Sequence, residues 1–327
     1  MSEPLLSLRD LSVSFAVSGE RRVQAADGVS FDVHAGRTLG IVGESGSGKS
    51  VTSLAVMGLL PKTARITGEA LFEGRDLLSL PDRARRDLRG DRMAMIFQEP
   101  MTSLNPSHRI GDQIGEAVLR HRGVSRGEAA ARAVEMLRRV RIPAPEQRAR
   151  DYPHQLSGGM RQRAMIAMAL ALDPVLLIAD EPTTALDVTI QAQILDLLRD
   201  LRQQSGAAVM LITHDLGVVA EVADDVAVMY AGEIVEKAPV DALFEAPQHP
   251  YTIGLLGSLP RLRERRDRLA AIAGAVPDMA APPHGCRFAQ RCPFAQAACR
   301  AARPALAQIA PGRFTRCIRA PLERLAA

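Results

Sequence analysis

The chain has 327 residues, 47% of them hydrophobic, and a formal net charge of +4. The hydrophobic fraction is ordinary for a globular protein and excludes disordered and fibrous proteins, and the length allows more than one structural unit. Four cysteines are too few for a disulfide scaffold, no apolar stretch reaches the length of a membrane span, and the start lacks the basic and apolar regions of a signal peptide. From these two absences we expect a soluble cytoplasmic protein that reaches a membrane only through partners. Three tyrosines, eight phenylalanines and no tryptophan offer little for stacking on bases, so we also expect no binding to nucleic acid.

The first third of the chain predicts several strands and one helix. Residues 11–15 and 28–33 alternate apolar and polar side chains, as half-buried strands do, and residues 38–42 form an apolar run typical of a buried strand. A glycine-rich stretch follows, then a helix from residue 49 to about residue 60, where Pro61 ends it. Residues 93–97 predict another buried strand.

The rest of the chain divides into three parts by its periodicity and composition. Amphipathic spacing at residues 111–122 and 127–140 predicts a helical insertion. From residue 158 helices alternate with apolar strands: helix 158–172, strand 175–179, helix 190–203 and strand 208–212. This alternation predicts an α/β fold with a largely parallel sheet. Beyond about residue 239 prolines and arginines become frequent, which indicates a separate C-terminal appendage.

The sequence GESGSGKS at residues 43–50 matches every fixed position of the phosphate-binding P-loop, between a predicted strand and a predicted helix. The glycines allow backbone amides to surround phosphate oxygens at a helix N-terminus. Lys49 supplies a positive charge for the β- and γ-phosphates, and the Ser50 hydroxyl can bind Mg²⁺. A glycine-rich turn with an incidental lysine would leave both matching flanks unexplained. The pattern therefore predicts an ATP site formed by Gly43, Glu44, Ser45, Gly46, Ser47, Gly48, Lys49 and Ser50.

A second acidic element completes the predicted metal shell. The apolar strand at residues 175–179 ends in Asp180 and Glu181, as the Walker B strand of P-loop ATPases does. Asp180 would hold Mg²⁺, directly or through water. Glu181 is placed one residue further on, where a general base could polarise the attacking water. Acidic residues at strand ends are common, so this pair gains its meaning from the P-loop upstream.

The sequence LSGGMRQR at residues 156–163 opens a predicted helix with a serine and two glycines, which form a second anion-binding cap. A serine N-cap alone explains the helix start but not a second phosphate-type site before the acidic strand. With the P-loop, Gln98 in FQEP, ADEP, Asp187 in ALD and His214 in ITHD, in this order, the chain resembles the nucleotide-binding subunits of ABC transporters over nearly all of residues 5–240.

This resemblance implies a P-loop ABC-type ATPase with an antiparallel N-terminal β subdomain. The ATPase core would comprise residues 1–97 and 158–240, the helical subdomain residues 98–157, and the C-terminal domain residues 241–327. It also implies a head-to-tail dimer in which each ATP lies between the P-loop of one subunit and the signature of its partner. The signature residues are Ser157, Gly158, Gly159 and Gln162.

The resemblance assigns roles to further single residues. Gln98 would join Ser50 and Asp180 at Mg²⁺, sense the γ-phosphate and link to the membrane subunits. Asp187 would bridge the dimer, and His214 would contact the γ-phosphate as a second catalytic residue beside Glu181. As lone residues, Gln98 could lie in a surface loop and His214 could cap a turn. Phe15 matches the aromatic residue that stacks on adenine, with packing in the core as the equal alternative.

The segments GIVGESGSGKS, FQEPMTSLNP and HPYTIGLLGSLP are similar to the ATPases of oligopeptide and dipeptide permeases, and nickel importers share much of this pattern. The resemblance implies the motor of a di- or oligopeptide importer at the cytoplasmic face of the membrane, with nickel or another small solute as the alternative cargo. The implied partners are two permease subunits at residues 101–122, a second ATPase that is a sister chain or another copy, and indirectly an external binding protein. A soluble ABC ATPase acting on ribosomes or DNA is disfavoured, because such proteins typically carry two cassettes or long coiled coils. An exporter is also disfavoured, because its ATPase is commonly fused to membrane spans and this sequence contains no apolar stretch of that length.

All four cysteines, Cys286, Cys292, Cys299 and Cys317, lie within 32 residues of the C-terminal segment. In a reducing cytosol clustered thiols favour a metal site over disulfides, and four thiolates suit either Zn²⁺ or an iron–sulfur cluster. Resemblance to the peptide-importer branch favours a [4Fe–4S] cluster. Because a proline-rich tail with few apolar residues lacks a core of its own, we expect a structural rather than a redox role. The alternative is four unligated thiols that help a small tail to pack.

Overall fold

The computed structural model describes residues 3–18, 21–99, 103–183, 187–258 and 272–322. The chain forms two compact units. Unit 1 comprises residues 1–33, 37–78 and 212–327, and unit 2 comprises residues 34–36 and 79–211. Within the described ranges, no helix combines the length and the hydropathy needed to cross a membrane.

Unit 1 begins with an antiparallel four-stranded sheet in the order β2-β1-β4-β5. The strands are β1 (Leu6–Ser18), β2 (Arg21–Val33), β4 (Ala64–Phe72) and β5 (Arg75–Asp76). Leu6 pairs with Val33 on one side and with Phe72 on the other, and all three are buried. The predicted N-terminal strands at 11–15 and 28–33 are confirmed. Strand β1 extends beyond its prediction at both ends, whereas β2 begins seven residues earlier and ends at Val33 as predicted.

The second group of strands in unit 1 carries the phosphate loop. Strand β3 (Thr38–Val42) is parallel to β9 (Asp225–Tyr230), which pairs antiparallel with β10 (Glu233–Pro239). The tight β9–β10 turn uses positive φ at Ala231 and Gly232, as two-residue hairpins require. Strand β10 pairs with β12 (Arg313–Thr315) and β12 with β11 (Ala307–Ala310), so the C-terminal segment extends this sheet.

Five helices of unit 1 lie in its described part. They are α1 (Lys49–Met57), α8 (Leu216–Val222), α9 (Val240–Glu245), α10 (Pro250–Gly257) and α11 (Ala297–Ala301). The end of α1 differs from the prediction, because Gly58 at φ 63° ends the helix before Pro61 is reached. Phe288 of the C-terminal segment packs in one hydrophobic core with Tyr230 and Tyr251.

Unit 2 contains the helices predicted at 111–122, 127–140, 158–172 and 190–203, together with two parallel strands. Strand β6 (Met93–Ile96) is parallel to β7 (Leu176–Asp180). The helices are α2 (Asp82–Leu88), α3 (Ile110–Arg122), α4 (Arg126–Arg139), α5 (Pro145–Arg148), α6 (Gly158–Ala169) and α7 (Val188–Ser205), with a 3₁₀ turn at Pro153–Gln155. Strand β8 (Ala208–Thr213) begins in unit 2 and ends in unit 1. The alternation predicted from residue 158 is confirmed to within a few residues.

Candidate functional site

The loop at residues 43–48, the phosphate loop, joins β3 to α1 in unit 1 and is built on three glycines with positive φ. These are Gly43 at 154°, Gly46 at 77° and Gly48 at 99°. A Cβ on Gly43 would lie 2.0 Å from the Met229 carbonyl oxygen, and one on Gly48 would lie 2.2 Å from the Ala25 carbonyl oxygen. The loop therefore packs directly against the backbones of β2 and β9. Gly46 meets nothing within 4 Å, so only its backbone angle calls for glycine.

Lys49, the first residue of α1, is directed into the phosphate loop. Its side chain is 5% exposed, and Nζ donates to the carbonyl oxygens of Gly43 at 2.7 Å and Glu44 at 3.0 Å. The Ser47 hydroxyl is buried and finds no hydrogen-bond partner among the described residues. A buried ammonium and an unpaired hydroxyl in one loop fit an anionic ligand, because an unsatisfied buried donor destabilises the empty site.

Glu44 is held by two residues that lie far downstream in the sequence. Its carboxylate accepts two hydrogen bonds from Arg291, from Nη1 at 2.8 Å and from Nη2 at 3.0 Å. Its backbone N–H donates to the buried Tyr251 hydroxyl at 2.8 Å. The bidentate carboxylate bond raises the pKa of Arg291 above its ordinary value. Both partners escaped the sequence analysis, since a contact across 247 residues leaves no local signal.

A buried turn positions Tyr251 beneath the phosphate loop. Glu236 of β10 is 1% exposed and accepts the backbone N–H groups of Gln248 at 2.6 Å and His249 at 2.8 Å. Burial raises the pKa of Glu236 to about 7 and lowers the pKa of His249 to about 3, so the imidazole is neutral. His249 Nδ1 then accepts the Tyr251 N–H at 3.1 Å and starts α10.

In unit 2 the structure brings Gln98 and Glu181 together. Strand β7 is fully buried and ends at Asp180, which is 4% exposed. Glu181 follows with φ 46°, an uncommon angle for a residue other than glycine and one often found at functional sites. The Gln98 amide Nε2 donates to Glu181 Oε2 at 3.1 Å across 83 residues of sequence. This amide therefore orients the carboxylate that the sequence predicts as general base.

The signature residues surround the start of α6. The Ser157 hydroxyl accepts the Met160 N–H at 3.4 Å, which makes it the helix cap, and Ser157 and Gly158 are exposed. Gly159 is half-buried, and a Cβ there would approach Ile190 of α7 to 3.3 Å. Gln162 is 2% exposed and donates to the Pro182 carbonyl oxygen, just after Glu181. The partner-facing role of this signature stays a prediction.

The remaining predicted residues lie at the ends of elements. Asp187 is exposed and caps α7 by accepting the Ile190 N–H at 2.9 Å, while His214 is exposed just after β8. Phe15 is half-buried on β1. Their roles toward a nucleotide or a second subunit stay predictions, as does that of Ser50. Residues 101–102 of the predicted permease contact, 185–186 of ALD and 259–260 of the tail match lie outside the described residues.

The four cysteines line one small pocket of unit 1, together with Phe288 and Phe294. Burial raises the pKa of the Cys286 thiol to about 11 and also raises those of Cys292 and Cys317. No group of three or more His, Cys, Asp or Glu in the described ranges is arranged to hold a metal ion. The prediction of a metal site is therefore not supported, although the four thiols share one pocket.

Two family models and several curated proteins match this chain. The family model described as ABC transporter matches residues 26–184, and the one described as oligopeptide/dipeptide transporter, C-terminal region, matches residues 235–299. The chain is 59% identical to the probable peptide ABC transporter ATP-binding protein y4tR of Sinorhizobium fredii, over 96% of this chain and 95% of that protein. It is 55% identical to the dipeptide transport ATP-binding protein DppD of Bacillus subtilis, over 91% and 89%.

Solved structures agree with the family models. The dimeric ABC transporter cassette MJ0796 superimposes with a TM-score of 0.64 at 29% identity, covering 72% of this chain and 98% of the cassette. The same cassette in a post-hydrolysis state bound to ADP and Pi gives a TM-score of 0.64 at 28% identity, with the same coverage. The predicted P-loop fold of the ABC type is confirmed.

Proposed function

The chain belongs to the family of ABC transporter ATP-binding proteins, and we propose that it is the ATP-hydrolysing subunit of an importer of di- or oligopeptides. The curated relatives at 51–59% identity include proteins named for peptide and dipeptide transport, and the C-terminal region matches the oligopeptide/dipeptide family model. Nickel or another small solute is the alternative cargo. The cargo is chosen by the permeases and the binding protein rather than by this subunit.

The geometry of the phosphate loop carries the nucleotide-binding part of the proposal. Its backbone is fixed by glycines that contact β2 and β9, and it surrounds the buried Lys49 ammonium. A polyphosphate would take over the Lys49 bonds to the carbonyl oxygens of Gly43 and Glu44 and would pair the Ser47 hydroxyl. Lys49 would stabilise charge on the β- and γ-phosphates. Ser50, Asp180 and Gln98 are the residues that would hold Mg²⁺, and the ion would supply positive charge against the charge that develops on the phosphates.

Hydrolysis is assigned to Glu181, with His214 contacting the γ-phosphate. The Glu181 carboxylate accepts a hydrogen bond from Gln98, which fixes its orientation. A carboxylate fixed in this way can polarise a water for in-line attack on the γ-phosphorus and accept its proton. Because Gln98 is exposed and touches Glu181, a partner that moves Gln98 would alter the base directly. This contact offers a route by which a permease regulates hydrolysis.

The assembly is proposed to be a head-to-tail ATPase dimer bound to two permeases at the cytoplasmic face of a membrane. The exposed Ser157 and Gly158 would present the signature to a partner's nucleotide, and the exposed Asp187 would lie at the dimer contact. ATP closes the dimer, hydrolysis releases it, and the permeases convert the motion into alternating access. The second ATPase is a sister chain or another copy, and the external binding protein acts through the permeases.

Three experiments test this function. Glu181→Gln keeps the size of the side chain and should bind ATP while hydrolysing it at least a hundredfold more slowly, since general-base catalysis contributes roughly 10²–10⁴-fold. Turnover at the parent rate would remove Glu181 as the base. Tagged Glu181→Gln protein should then recover two permease chains and a second ATPase from detergent-solubilised membranes with ATP. Recovery of ribosomes, of DNA or of no membrane protein would contradict transport. Comparing how strongly peptides and nickel stimulate the ATPase activity of the assembled transporter would distinguish the two cargoes.

We also propose that the four cysteines hold a [4Fe–4S] cluster with a structural role. A cluster would take one cysteine on each of its four iron atoms, and the proposal is supported by the single pocket that all four cysteines line. Anaerobic purification with iron, sulfide and zinc counts tests this. Four irons and four sulfides per chain are expected, whereas stoichiometric zinc without sulfide, or no metal, would refute the cluster.

A further inference from the structure

We propose that Arg291, which precedes Cys292 in the C-terminal segment, is a positioning residue of the nucleotide site. It fixes the phosphate loop through Glu44 and neutralises that carboxylate, so that the loop accepts a polyphosphate. The inference rests on the proposed nucleotide-binding role of residues 43–50. It makes part of the C-terminal segment a component of the ATP site.

The Arg291 guanidinium is held in one orientation by all of its donors. Nη1 and Nη2 form the bidentate pair with Glu44, and Nη1 also contacts the Tyr230 hydroxyl at 3.4 Å. Nη2 donates to the Ile272 carbonyl oxygen at 3.1 Å and Nε to that of Ala273 at 3.0 Å. An arginine has five N–H donors, and five bonds are made here. The side chain is 5% exposed, so solvent screens it little.

Glu44 is held at its backbone as well as at its side chain. The Tyr251 hydroxyl, which accepts the Glu44 N–H, is buried against Tyr230 and Phe288, with ring centroids 4.6 Å and 5.5 Å from that of Tyr251. Phe288 lies between Cys286 and Cys292 in the sequence, and Arg291 faces the Tyr230 ring at 5.7 Å. One aromatic cluster therefore supports both contacts to Glu44. The second position of the phosphate loop is fixed by residues downstream of 240.

Charge makes this contact matter for nucleotide binding. A polyphosphate is strongly anionic, and the Glu44 carboxylate, 28% exposed, lies within the loop that must receive it. The Arg291 pair cancels that negative charge and directs the carboxylate oxygens to the guanidinium. Without Arg291 the loop would lose an anchor and would carry an uncompensated carboxylate. Removing the charge of Glu44 in that background should recover the electrostatic part of the loss.

Arg300 provides the matched control. It also neighbours a cysteine, Cys299, but it is exposed on α11. Arg291→Gln and Arg300→Gln remove the same charge from the same segment. A general effect of the net charge or of the tail would therefore appear in both variants, whereas an effect through Glu44 would appear in Arg291→Gln alone.

The experiment measures binding of Mg²⁺ with a non-hydrolysable ATP analogue to the full chain by calorimetry. Arg291→Gln should raise Kd roughly tenfold, as expected for a lost charge-assisted pair, and Arg300→Gln should leave it within about twofold. Glu44→Gln combined with Arg291→Gln should recover about threefold of the loss. In ATPase assays KM should rise with Kd while kcat at saturating ATP changes by less than about threefold. If Arg291→Gln does not fold, Arg291→Lys replaces it, because lysine keeps the positive charge but cannot form the bidentate pair. Its Kd should exceed that of the parent by less than tenfold, and a parent-like Kd would overturn the proposal.

Amide hydrogen exchange without nucleotide provides a second readout. Residues 43–48 should exchange faster in Arg291→Gln than in the parent and Arg300→Gln proteins, because the loop has lost its anchor. A parent-like Kd for Arg291→Gln would overturn the proposal. So would a weakened Kd that Glu44→Gln does not improve, since the effect would then come from the tail and not from Glu44. If the parent itself fails to bind the analogue, the proposed function is wrong, and unchanged exchange at residues 43–48 would overturn the positioning role separately.

Discussion

Substituting alanine for two glycines of the phosphate loop separates the steric requirement from the conformational one. At Gly48 the new Cβ would lie 2.2 Å from the Ala25 carbonyl oxygen, and real Cβ contacts essentially never fall below 3.0 Å. The backbones must therefore separate by at least 0.8 Å, the difference between these two distances. A displacement of about 1 Å in an active site lowers rates on the order of a hundredfold. We expect Gly48→Ala to lower kcat/KM for ATP by about that factor.

Gly46→Ala is the matched comparison, because its Cβ would meet nothing within 4 Å and only its φ of 77° is unfavourable for alanine. A left-handed alanine costs about 1–2 kcal/mol, so the loss should stay near tenfold. Steady-state ATPase kinetics measure both variants, and urea unfolding without nucleotide checks that each one folds. Equal losses in the two variants, or parent-like activity of Gly48→Ala, would refute the steric reasoning.

Three further substitutions probe stability by urea unfolding. Burial raises the pKa of Glu236 in the folded protein to about 7 from an ordinary 4.5, so its stabilising contribution is full below pH 4.5 and is lost as the pH rises to about 7. Relative to Glu236→Gln, the parent should lose about 3 kcal/mol of unfolding free energy between these pH values. A difference between the two proteins that does not change with pH would contradict this. Arg163→Met removes the donors to the Val140 carbonyl oxygen and Gln193 Oε1, both at 2.7 Å, and should destabilise by about 2–3 kcal/mol; a change below about 0.5 kcal/mol would show that both acceptors find other partners. Ser125→Ala deletes the capping box of α4 and should cost about 1 kcal/mol, and an unchanged midpoint would show that the box contributes nothing.

Local patterns predicted most of the elements because their causes are local. The apolar run of β3 is buried at all five positions, and the helix after the P-loop begins at Lys49 as the motif requires. The errors at helix ends arise where a glycine in the left-handed conformation, such as Gly58, stops a helix that periodicity alone would continue. The β9–β10 hairpin is not predicted from the sequence, because its turn places Ala231 at a positive φ and alanine is not a residue that indicates such a turn.

The candidate site divides in the same way. Motif spacing pointed to Glu44 and Lys49 in and after the phosphate loop and to Glu181 after the end of β7. It could not identify what orients them: the Gln98 amide on Glu181, or Tyr251 and Arg291 on Glu44, because these contacts arise only when distant segments fold together. The sequence grouped Gln162 with the exposed signature, yet the fold buries it against Pro182.

The arginines of the C-terminal segment show why that segment is more than a support for its cysteines. Three of them directly adjoin a cysteine and reach the strands and loop around the nucleotide site: Arg287 donates to the Ala231 carbonyl oxygen at 2.6 Å, Arg291 to Glu44, and Arg316 to the Ile234 carbonyl oxygen at 2.9 Å. Arg287 is 3% exposed, so its charge is stable there only with its partners, which include Asp27 of β2. Because the pair between Arg291 and Glu44 joins this segment to the phosphate loop, we expect a change in how Cys292 is fixed to alter the loop as well. We therefore expect the C-terminal segment to contribute to nucleotide binding through the contact between Arg291 and Glu44.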